Sequence, residues 1–190
     1  GNIGIVDYDK VELSNLNRQL IYKDSDIGRS KVDVAKNYIS ELNSSTKIEI
    51  FEMRIDEKNL PNIIGDYDIL ADCTDNLETR LSINDVCTKF NKKSVVSAVG
   101  GFFGQIASFD SKDDDLNNPN KTYRDLMKHQ SFEEDSCDNI GAIGSVVGAI
   151  AAMQATEIIK LIIVSKENLI KALKKIEAEW IRNNFKITKL

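Results

Sequence analysis

The hydrophobic residues of this chain fall into short apolar runs and into stretches with helical spacing, and the two patterns alternate. A short apolar strand ends at Gly4-Ile5-Val6, and apolar residues on one face predict a helix over 31–43. The predicted elements that follow are an edge strand over 48–50, a buried strand over 69–71, a helix over 83–90, a strand over 94–99 and an extended segment over 102–109. This alternation is typical of a parallel sheet with crossover helices, so we predict a doubly wound α/β fold.

The second half of the chain is less regular. Residues 110–136 are polar and too long for a tight connection, so we predict a mobile crossover loop there. A long apolar helix with three glycines is predicted over 141–164, followed by a short helix and an antiparallel hairpin that form a carboxyl-terminal extension over 165–190. We therefore treat 1–190 as a single domain.

The amino end does not contain the elements with which a doubly wound, Rossmann-like domain opens. Such a domain starts with a strand, a glycine-rich phosphate loop and a helix, and these precede the strand that carries an acidic residue at its tip. Here the first strand is already followed by Asp7. We expect the opening strand, loop and helix to be missing from these residues. In a complete domain of this kind the opening strand normally lies at the centre of the sheet.

Composition narrows the class of protein. A chain of 190 residues with 42% hydrophobic and 29% charged residues predicts one soluble domain with a substantial core. The net charge of −5 argues against nucleic acid as a partner. The three cysteines lack the spacing of a disulfide framework, which favours a reducing cytoplasm. The uncharged run over 140–156 contains glycines and Gln154, so we expect a buried helix and no membrane segment.

Acidic, amide and basic side chains follow the first strand over residues 7–19. The carboxylate of Asp7, at the carboxyl end of a strand, can accept hydrogen bonds from ribose hydroxyls. Asn15 and Arg18 would then face the phosphates of a bound nucleotide, since both carry donors for phosphate oxygens. The stretch therefore predicts an ATP site at the edge where the strand ends.

Five separated motifs occur in order along the chain. They are Ile5-Val-Asp-Tyr-Asp9, Glu12-Leu-Ser-Asn-Leu-Asn-Arg-Gln19, Gly28-Arg-Ser-Lys31, Asp72-Cys-Thr-Asp-Asn76 and Gly104-Gln105. Together they resemble the MoeB/ThiF adenylyltransferases, which are relatives of the ubiquitin-activating enzymes. The resemblance runs from residue 3 to about residue 164, and separated motifs in order are more specific than a lone glycine-rich loop.

The resemblance implies an enzyme that uses ATP and Mg²⁺ to convert the Gly-Gly carboxyl terminus of a ubiquitin-like sulfur-carrier protein into an acyl adenylate. Two anions meet in that reaction, so cations must neutralise the phosphates and a metal must stabilise the leaving pyrophosphate. It implies catalytic roles for Arg18, Lys31 and Asp75, with Asp75 as the Mg²⁺ ligand. The implied ATP-binding residues are Asp7, Asp9, Ser14, Asn15, Arg18, Gln19, Lys31, Asp75 and Asn76. Enzymes of this family are homodimers, which is our expectation here.

Cys137 occupies the position at which members of this family carry sulfur or accept an activated carrier, and it is our candidate for sulfur transfer or thioester formation. A loop thiol near a helix start can be nucleophilic, but four acidic neighbours would raise its pKa. Cys73 and Cys87 are predicted to pack in the core. We expect no zinc, because Thr122-Tyr-Arg-Asp125 stands where relatives have a Cys-x-x-Cys pair, and His129 is expected to face solvent.

Three alternatives remain open. An NAD-dependent dehydrogenase also binds ribose through an aspartate, but this chain has no Tyr-x-x-x-Lys pair. A non-catalytic partner subunit of a heterodimeric activating enzyme is the second, and the joint presence of Arg18, Lys31 and Asp75 argues against it. A tRNA-modifying dehydratase of the same superfamily is the third. Asp75 and Asn76 are also ordinary helix-capping residues.

Overall fold

The computed structural model describes residues 1–110, 121–128 and 141–163. The strands in these ranges are β1 (Asn2–Val6), β2 (Lys47–Phe51), β3 (Ile69–Asp72), β4 (Lys93–Gly100) and β5 (Phe103–Asp110). The helices are α1 (Lys31–Leu42), α2 (Leu60–Ile64), α3 (Leu77–Lys89), α4 (Tyr123–Lys128) and α5 (Gly144–Ile163). Strands and helices alternate from β1 to β4, and the hydrophobic pattern predicts these elements except α2.

The described strands form two sheets. β1 pairs in parallel with β2, and Ile5 lies opposite Ile50. β3 pairs in parallel with β4, and β4 pairs with the antiparallel β5 across a turn in which Gly101 has a φ of 56°. That positive φ favours glycine at the turn, as the Gly100-Gly101 pair suggests. The predicted α/β fold with mainly parallel pairing is confirmed.

A cleft separates the two sheets, with β1 on one side and β3 on the other. Its volume is about 1050 Å³, and apolar side chains from α2, α3 and α5 contribute to its walls. The residues that follow each strand also line it, Asp7 to Asp9 after β1 and Cys73 to Asn76 after β3. The cleft therefore runs along all of β1 and most of β3 and reaches the carboxyl ends of both strands, which are the usual position of a ligand in an open α/β sheet.

Three clusters of buried side chains form the core of the described residues. The first lies between α2 and α3, the second joins β4 to α5, and the third joins β4, β5 and α4. Their buried members are, in turn, Leu60, Ile64, Ile83, Val86 and Cys87; Val95 and Leu161; and Val96, Phe109 and Tyr123. The rings of Phe109 and Tyr123 meet edge to face with centroids 6.3 Å apart. The predicted core position of Cys87 is confirmed.

Helix α4 lies within the segment predicted as a mobile crossover loop over 110–136. Tyr123 is buried, and its backbone N–H donates to Asn84 Oδ1 at 2.8 Å. Arg124 donates twice to the carboxylate of Asp85, at 2.6 Å in each contact. The loop prediction is wrong for these residues, because contacts with α3, which is 39 positions earlier in the chain, hold a helix there.

Two other predictions are corrected near the cleft, and one helix there is missed. β3 is not fully buried, since Ala71 is exposed where the strand borders the cleft. Cys73 does not pack in the core: the residue is exposed, and its Sγ donates to Gln154 Oε1 at 3.3 Å. The pattern also does not predict α2, which has five residues and is too short to show helical spacing.

Helix α5 begins and ends close to its predicted bounds. By length and composition alone it could cross a membrane. One face packs on β4 and β5, where Ile150, Gln154 and Leu161 are buried, whereas Ile159 and Ile162 on the other side are exposed. Gln154 is buried on the face of α5 that packs against the sheet, where its side chain donates to the carbonyl of Val95. The prediction of a buried helix is therefore confirmed for this face only.

Some predictions fall outside the described residues. These are the remainder of the crossover loop, the helix and hairpin over 165–190, Cys137 and His129. They stay predictions.

Candidate active site

The candidate nucleotide site lies where β1 and β3 end beside the cleft. Six of the predicted ATP-binding residues line this cleft, namely Asp7, Asp9, Gln19, Lys31, Asp75 and Asn76. They come from the turn after β1, from the first residue of α1 and from the loop between β3 and α3. Folding thus brings acidic, amide and basic groups from distant motifs to one cavity.

Lys31 is a buried cation in this cleft. Only 9% of its side chain is exposed, and its Nζ lies 2.9 Å from Asp9 Oδ2 and 3.9 Å from Asp7 Oδ2. The backbone N–H of Lys31 also donates to the carbonyl of Asp9 at 3.0 Å. Phosphate oxygens accept hydrogen bonds from an ammonium group as carboxylates do. A bound phosphate can therefore take the place of Asp9 at Nζ.

Asp7 stabilises the turn after β1 with one carboxylate oxygen, and its other oxygen lies near Lys31. Its Oδ1 accepts the N–H of Asp9 at 2.9 Å, while Oδ2 faces Lys31. Tyr22, which the sequence analysis does not single out, lines the same wall, and its hydroxyl donates to the Lys31 carbonyl at 3.4 Å. Burial, and then the negative charge of Asp7, raise the pKa of Tyr22 to about 12. The only sequence signal for Tyr22 is its position three residues after Gln19.

Gln19 carries an acceptor without a partner at the edge of the cleft. Its Oε1 is buried without a hydrogen-bond partner in the described part of the chain, and the residue lines the cleft. An unsatisfied buried acceptor costs about 1–3 kcal/mol, so a rotation of the side chain that brings Oε1 to a donor of a bound ligand would recover that cost. A ribose hydroxyl and the amino group of adenine are both donors of the required kind.

Ser14, Asn15 and Arg18 lie in the turn beside the cleft and are not among the residues that line it. Asn15 is buried, and its Oδ1 accepts the N–H of Glu12 at 3.0 Å. Arg18 Nη1 donates to the carbonyl of Ser14 at 2.8 Å. These contacts stabilise the turn that carries Gln19. Direct contact of the three side chains with ATP, and of Asn15 and Arg18 with its phosphates, stays a prediction.

The loop between β3 and α3 presents Asp75 to the cleft. Asn76 caps α3, because its Oδ1 accepts the N–H of Thr79 at 2.9 Å, which confirms its predicted capping role. Asp75 is exposed, and its carboxylate has no hydrogen bond or ion pair within the described ranges. No group of three His, Cys, Asp or Glu among the described residues could hold a metal ion. A single free carboxylate fits Mg²⁺, which takes few protein ligands and completes its shell with phosphate oxygens and water.

The two described cysteines are not activated thiols. Burial, and then the charge of Asp72, raise the pKa of Cys87 to about 12. Cys73 as a residue is exposed, but its sulfur is partly buried against Gln154, and this burial, and then the charge of Asp72, raise its pKa. A raised pKa leaves little thiolate at neutral pH, so neither residue is a nucleophile.

Known sequences match the chain over almost its whole length. The sequence model of the ThiF family matches residues 1–189. The chain belongs to the ThiF family. This membership confirms the resemblance to MoeB/ThiF-type proteins and explains the order of the motifs that meet at the cleft.

Two similar proteins are named as adenylyltransferases. The probable molybdopterin-synthase adenylyltransferase of Porphyra purpurea is 40% identical over 166 residues, which cover 86% of this chain and 42% of the relative. The adenylyltransferase and sulfurtransferase MOCS3 of Culex quinquefasciatus is 37% identical over 165 residues, which cover 86% of this chain and 36% of the relative. The chain thus spans less than half the length of these relatives.

Solved structures share the fold of this ThiF-family chain. MccB of E. coli, in its structure with ATP, matches with a TM-score of 0.67 and 20% identity, covering 84% of this chain and 48% of that one. PaaA matches with a TM-score of 0.63 and 23% identity, covering 85% and 56%. At these identities the likeness concerns the fold alone, and it confirms the Rossmann-like architecture.

Proposed function

We propose that this ThiF-family domain binds ATP with Mg²⁺ and adenylates the carboxyl-terminal Gly-Gly of a ubiquitin-like sulfur-carrier protein. The observation that carries the proposal is one cleft lined by Asp7, Lys31 and Asp75. They supply an acceptor for ribose, a buried cation for phosphates and a free carboxylate for the metal. The adenylyltransferase names of the P. purpurea and C. quinquefasciatus relatives support the reaction class.

The proposed residue tasks follow from these groups. Asp7 accepts hydrogen bonds from the ribose hydroxyls, and Gln19 accepts one further donor from the nucleoside. Lys31 exchanges Asp9 for a phosphate oxygen, and the neighbouring Arg18 donates to the phosphates from the turn. Asp75 would hold Mg²⁺, which supplies neutralising charge to the phosphates when bound.

In the proposed reaction the terminal carboxylate of the carrier attacks the α-phosphorus of ATP. A new bond forms between the carboxylate oxygen and phosphorus, and the bond from phosphorus to the pyrophosphate oxygen breaks. The products are the acyl adenylate and pyrophosphate. The charge of Lys31 in the cleft reduces the repulsion between the incoming carboxylate and the phosphates.

We extend the proposal to a cytoplasmic homodimer in which Cys137 takes part in sulfur transfer or thioester formation. The acidic net charge and the cysteine content support a cytoplasmic protein without nucleic acid as a partner. Family membership removes the NAD-dependent dehydrogenase from the alternatives. The non-catalytic partner subunit and the tRNA-modifying dehydratase are the remaining alternatives, and an exchange experiment distinguishes them from the proposed enzyme.

ATP–pyrophosphate exchange by the intact protein that carries this sequence tests the proposal. With a carrier ending in Gly-Gly we expect exchange that depends on the carrier, and Asp75→Ala should lower it by about 100-fold or more, because removal of an electrostatic stabiliser has effects of that size. The matched control is Asp33→Ala, which removes an exposed carboxylate on α1 and should leave exchange unchanged.

Two results would contradict parts of the proposal. Tight ATP binding without exchange on any carrier would favour the partner subunit or the dehydratase. Wild-type exchange by Asp75→Ala would remove Asp75 from the metal role.

A further inference from the structure

The position of Asp75 is set by its two neighbours in the loop. Asn76 is fixed as the cap of α3. Thr74, on the other side, is held through its N–H, its hydroxyl and its carbonyl. The exposed Asp75 therefore lies between two residues whose backbones have little freedom, although its own side chain contributes nothing to that order.

Arg80 holds the carbonyl of Thr74 from the other side of the loop. Its Nε donates to that carbonyl at 3.1 Å, and its Nη2 donates to the same oxygen. Nη2 also donates to the carbonyl of Ser97 on β4 at 3.0 Å. The planar guanidinium donates to the two carbonyls from separate nitrogens in a rigid fork, whereas the donors of a lysine all lie on one nitrogen at the end of a flexible chain. Arg80 thus ties the loop to β4.

The carboxylate of Asp72 also holds Thr74 in place. It is 1% exposed, and its Oδ1 accepts the N–H of Thr74 at 2.9 Å and the Thr74 hydroxyl at 2.7 Å. A buried carboxylate is costly unless donors and a nearby positive charge compensate it. Two donors on Thr74 and the charge of Arg80 compensate Oδ1, whereas Oδ2 is buried without a hydrogen-bond partner in the described part of the chain. The contacts of Oδ1 fix the backbone just before Asp75.

We propose that Arg80, together with Asp72, is a positioning residue for Asp75: it sets where the metal-holding carboxylate stands in the cleft. Neither Arg80 nor Asp72 is among the residues that line the cleft, so both act through Thr74. The inference rests on the proposed function, because it assumes that Asp75 holds Mg²⁺. Groups that orient a metal ligand in this way typically change metal affinity by 10–100-fold when they are replaced.

The test is the Mg²⁺ dependence of ATP binding by the intact protein, measured by titration calorimetry on variants that remain folded. For Arg80→Lys we expect the Mg²⁺ concentration at half-saturation to rise by about 10-fold or more. ATP affinity in EDTA and the KM for the carrier should stay unchanged, because the contacts of Lys31 and Asp7 are intact. Added methylguanidinium should restore the Mg²⁺ midpoint of Arg80→Ala by filling the vacated guanidinium position.

The matched control is Arg124→Lys. It breaks a two-bond arginine contact between α4 and Asp85, which lies on α3 further from the loop than Arg80, and should leave the Mg²⁺ midpoint unchanged. If the Arg80 variants do not fold, Thr74→Val replaces them, since it removes one donor to Asp72 and should raise the midpoint by several-fold.

The outcomes separate this inference from the proposed function. If wild-type protein shows no Mg²⁺-dependent ATP binding, the proposed function fails and this inference fails with it. If wild-type binding depends on Mg²⁺ but the folded variants keep the wild-type midpoint and lose only thermal stability, Arg80 is structural and this inference alone is overturned.

Discussion

Lys31 shows how single residues acquire their roles at this cleft. At the first position of a helix a cation is unfavourable, because the helix amino terminus carries partial positive charge. Asp9 and Asp7 compensate for this, and the same two carboxylates keep the ammonium beside the cleft. Tyr22 contacts the Lys31 carbonyl, so its ionisation reports on the charges around the site.

The titration of Tyr22 is a prediction at this scale. We expect a pKa of about 12 in the folded protein against an ordinary value of 10. Because the folded state holds the proton more tightly, the contribution of Tyr22 to stability is complete below pH 10 and is lost as the pH rises from 10 to 12. Ultraviolet absorbance of the phenolate, with Tyr22→Phe to assign the signal, measures it. Asp7→Asn should lower the pKa, and an unchanged pKa in that variant would contradict the assigned electrostatic cause.

At the scale of elements, the start of α5 packs on the turn that carries Gln19. A methyl group on Gly144 would lie 2.4 Å from the carbonyl oxygen of Asn17, so only glycine permits this approach. Gly148, one turn later, faces open space. The close approach of α5 to this turn therefore requires glycine at Gly144 but not at Gly148.

These two glycines give a matched pair of substitutions. Gly144→Ala should lower the free energy of unfolding by about 1–3 kcal/mol, because a backbone carbonyl must move to admit the methyl group. Gly148→Ala should raise it by about 0.5–1 kcal/mol through helix propensity alone. Urea denaturation measures both changes. Equal effects of the two substitutions would show that α5 does not contact the turn in solution.

At the scale of the molecule, Tyr67 connects the two sheets across the cleft. It precedes β3, its hydroxyl donates to Glu49 Oε2 on β2 at 3.0 Å, and its ring lies against Gly4 on β1. Lys92 holds the backbone of Tyr67 in turn, through a bond of 2.6 Å to its carbonyl. One half-buried aromatic side chain therefore spans from one wall of the cleft to the other.

A double-mutant cycle tests this link. Tyr67→Ala should cost about 2 kcal/mol, less than a fully buried aromatic residue would. Gly4→Ala should cost about 1–3 kcal/mol alone, since the new methyl group would stand 2.5 Å from the Tyr67 ring, and almost nothing in the Tyr67→Ala background. Chemical denaturation of the four proteins measures the coupling, with the exposed Tyr8→Ala as control. Additive costs would mean that the ring does not lie against β1.

Much of the fold could be predicted because its causes are local. Apolar spacing identifies α1 and most of α3, and Asn76 caps its helix through a contact only three residues away. The features that the sequence does not predict depend on residues that are far away in the chain. α4 is a helix because Asn84 and Asp85 anchor it, and Cys73 is turned toward Gln154 on α5. Periodicity carries no information about either contact.

The features of the candidate site likewise fall into those with local causes and those that depend on distant contacts. Motif order and side-chain chemistry are properties of the chain, so they are enough to show which carboxylates, amides and cations could bind a nucleotide. The burial of Lys31 beside Asp9, 22 residues away, and the support that the side-chain oxygen of Asn15 gives to the turn follow from the folded arrangement. It alone placed Tyr22 at the cleft and Arg80 behind Asp75. The physical reason is that burial and hydrogen-bond partners depend on which strands and helices meet, and that pairing is a property of the whole fold.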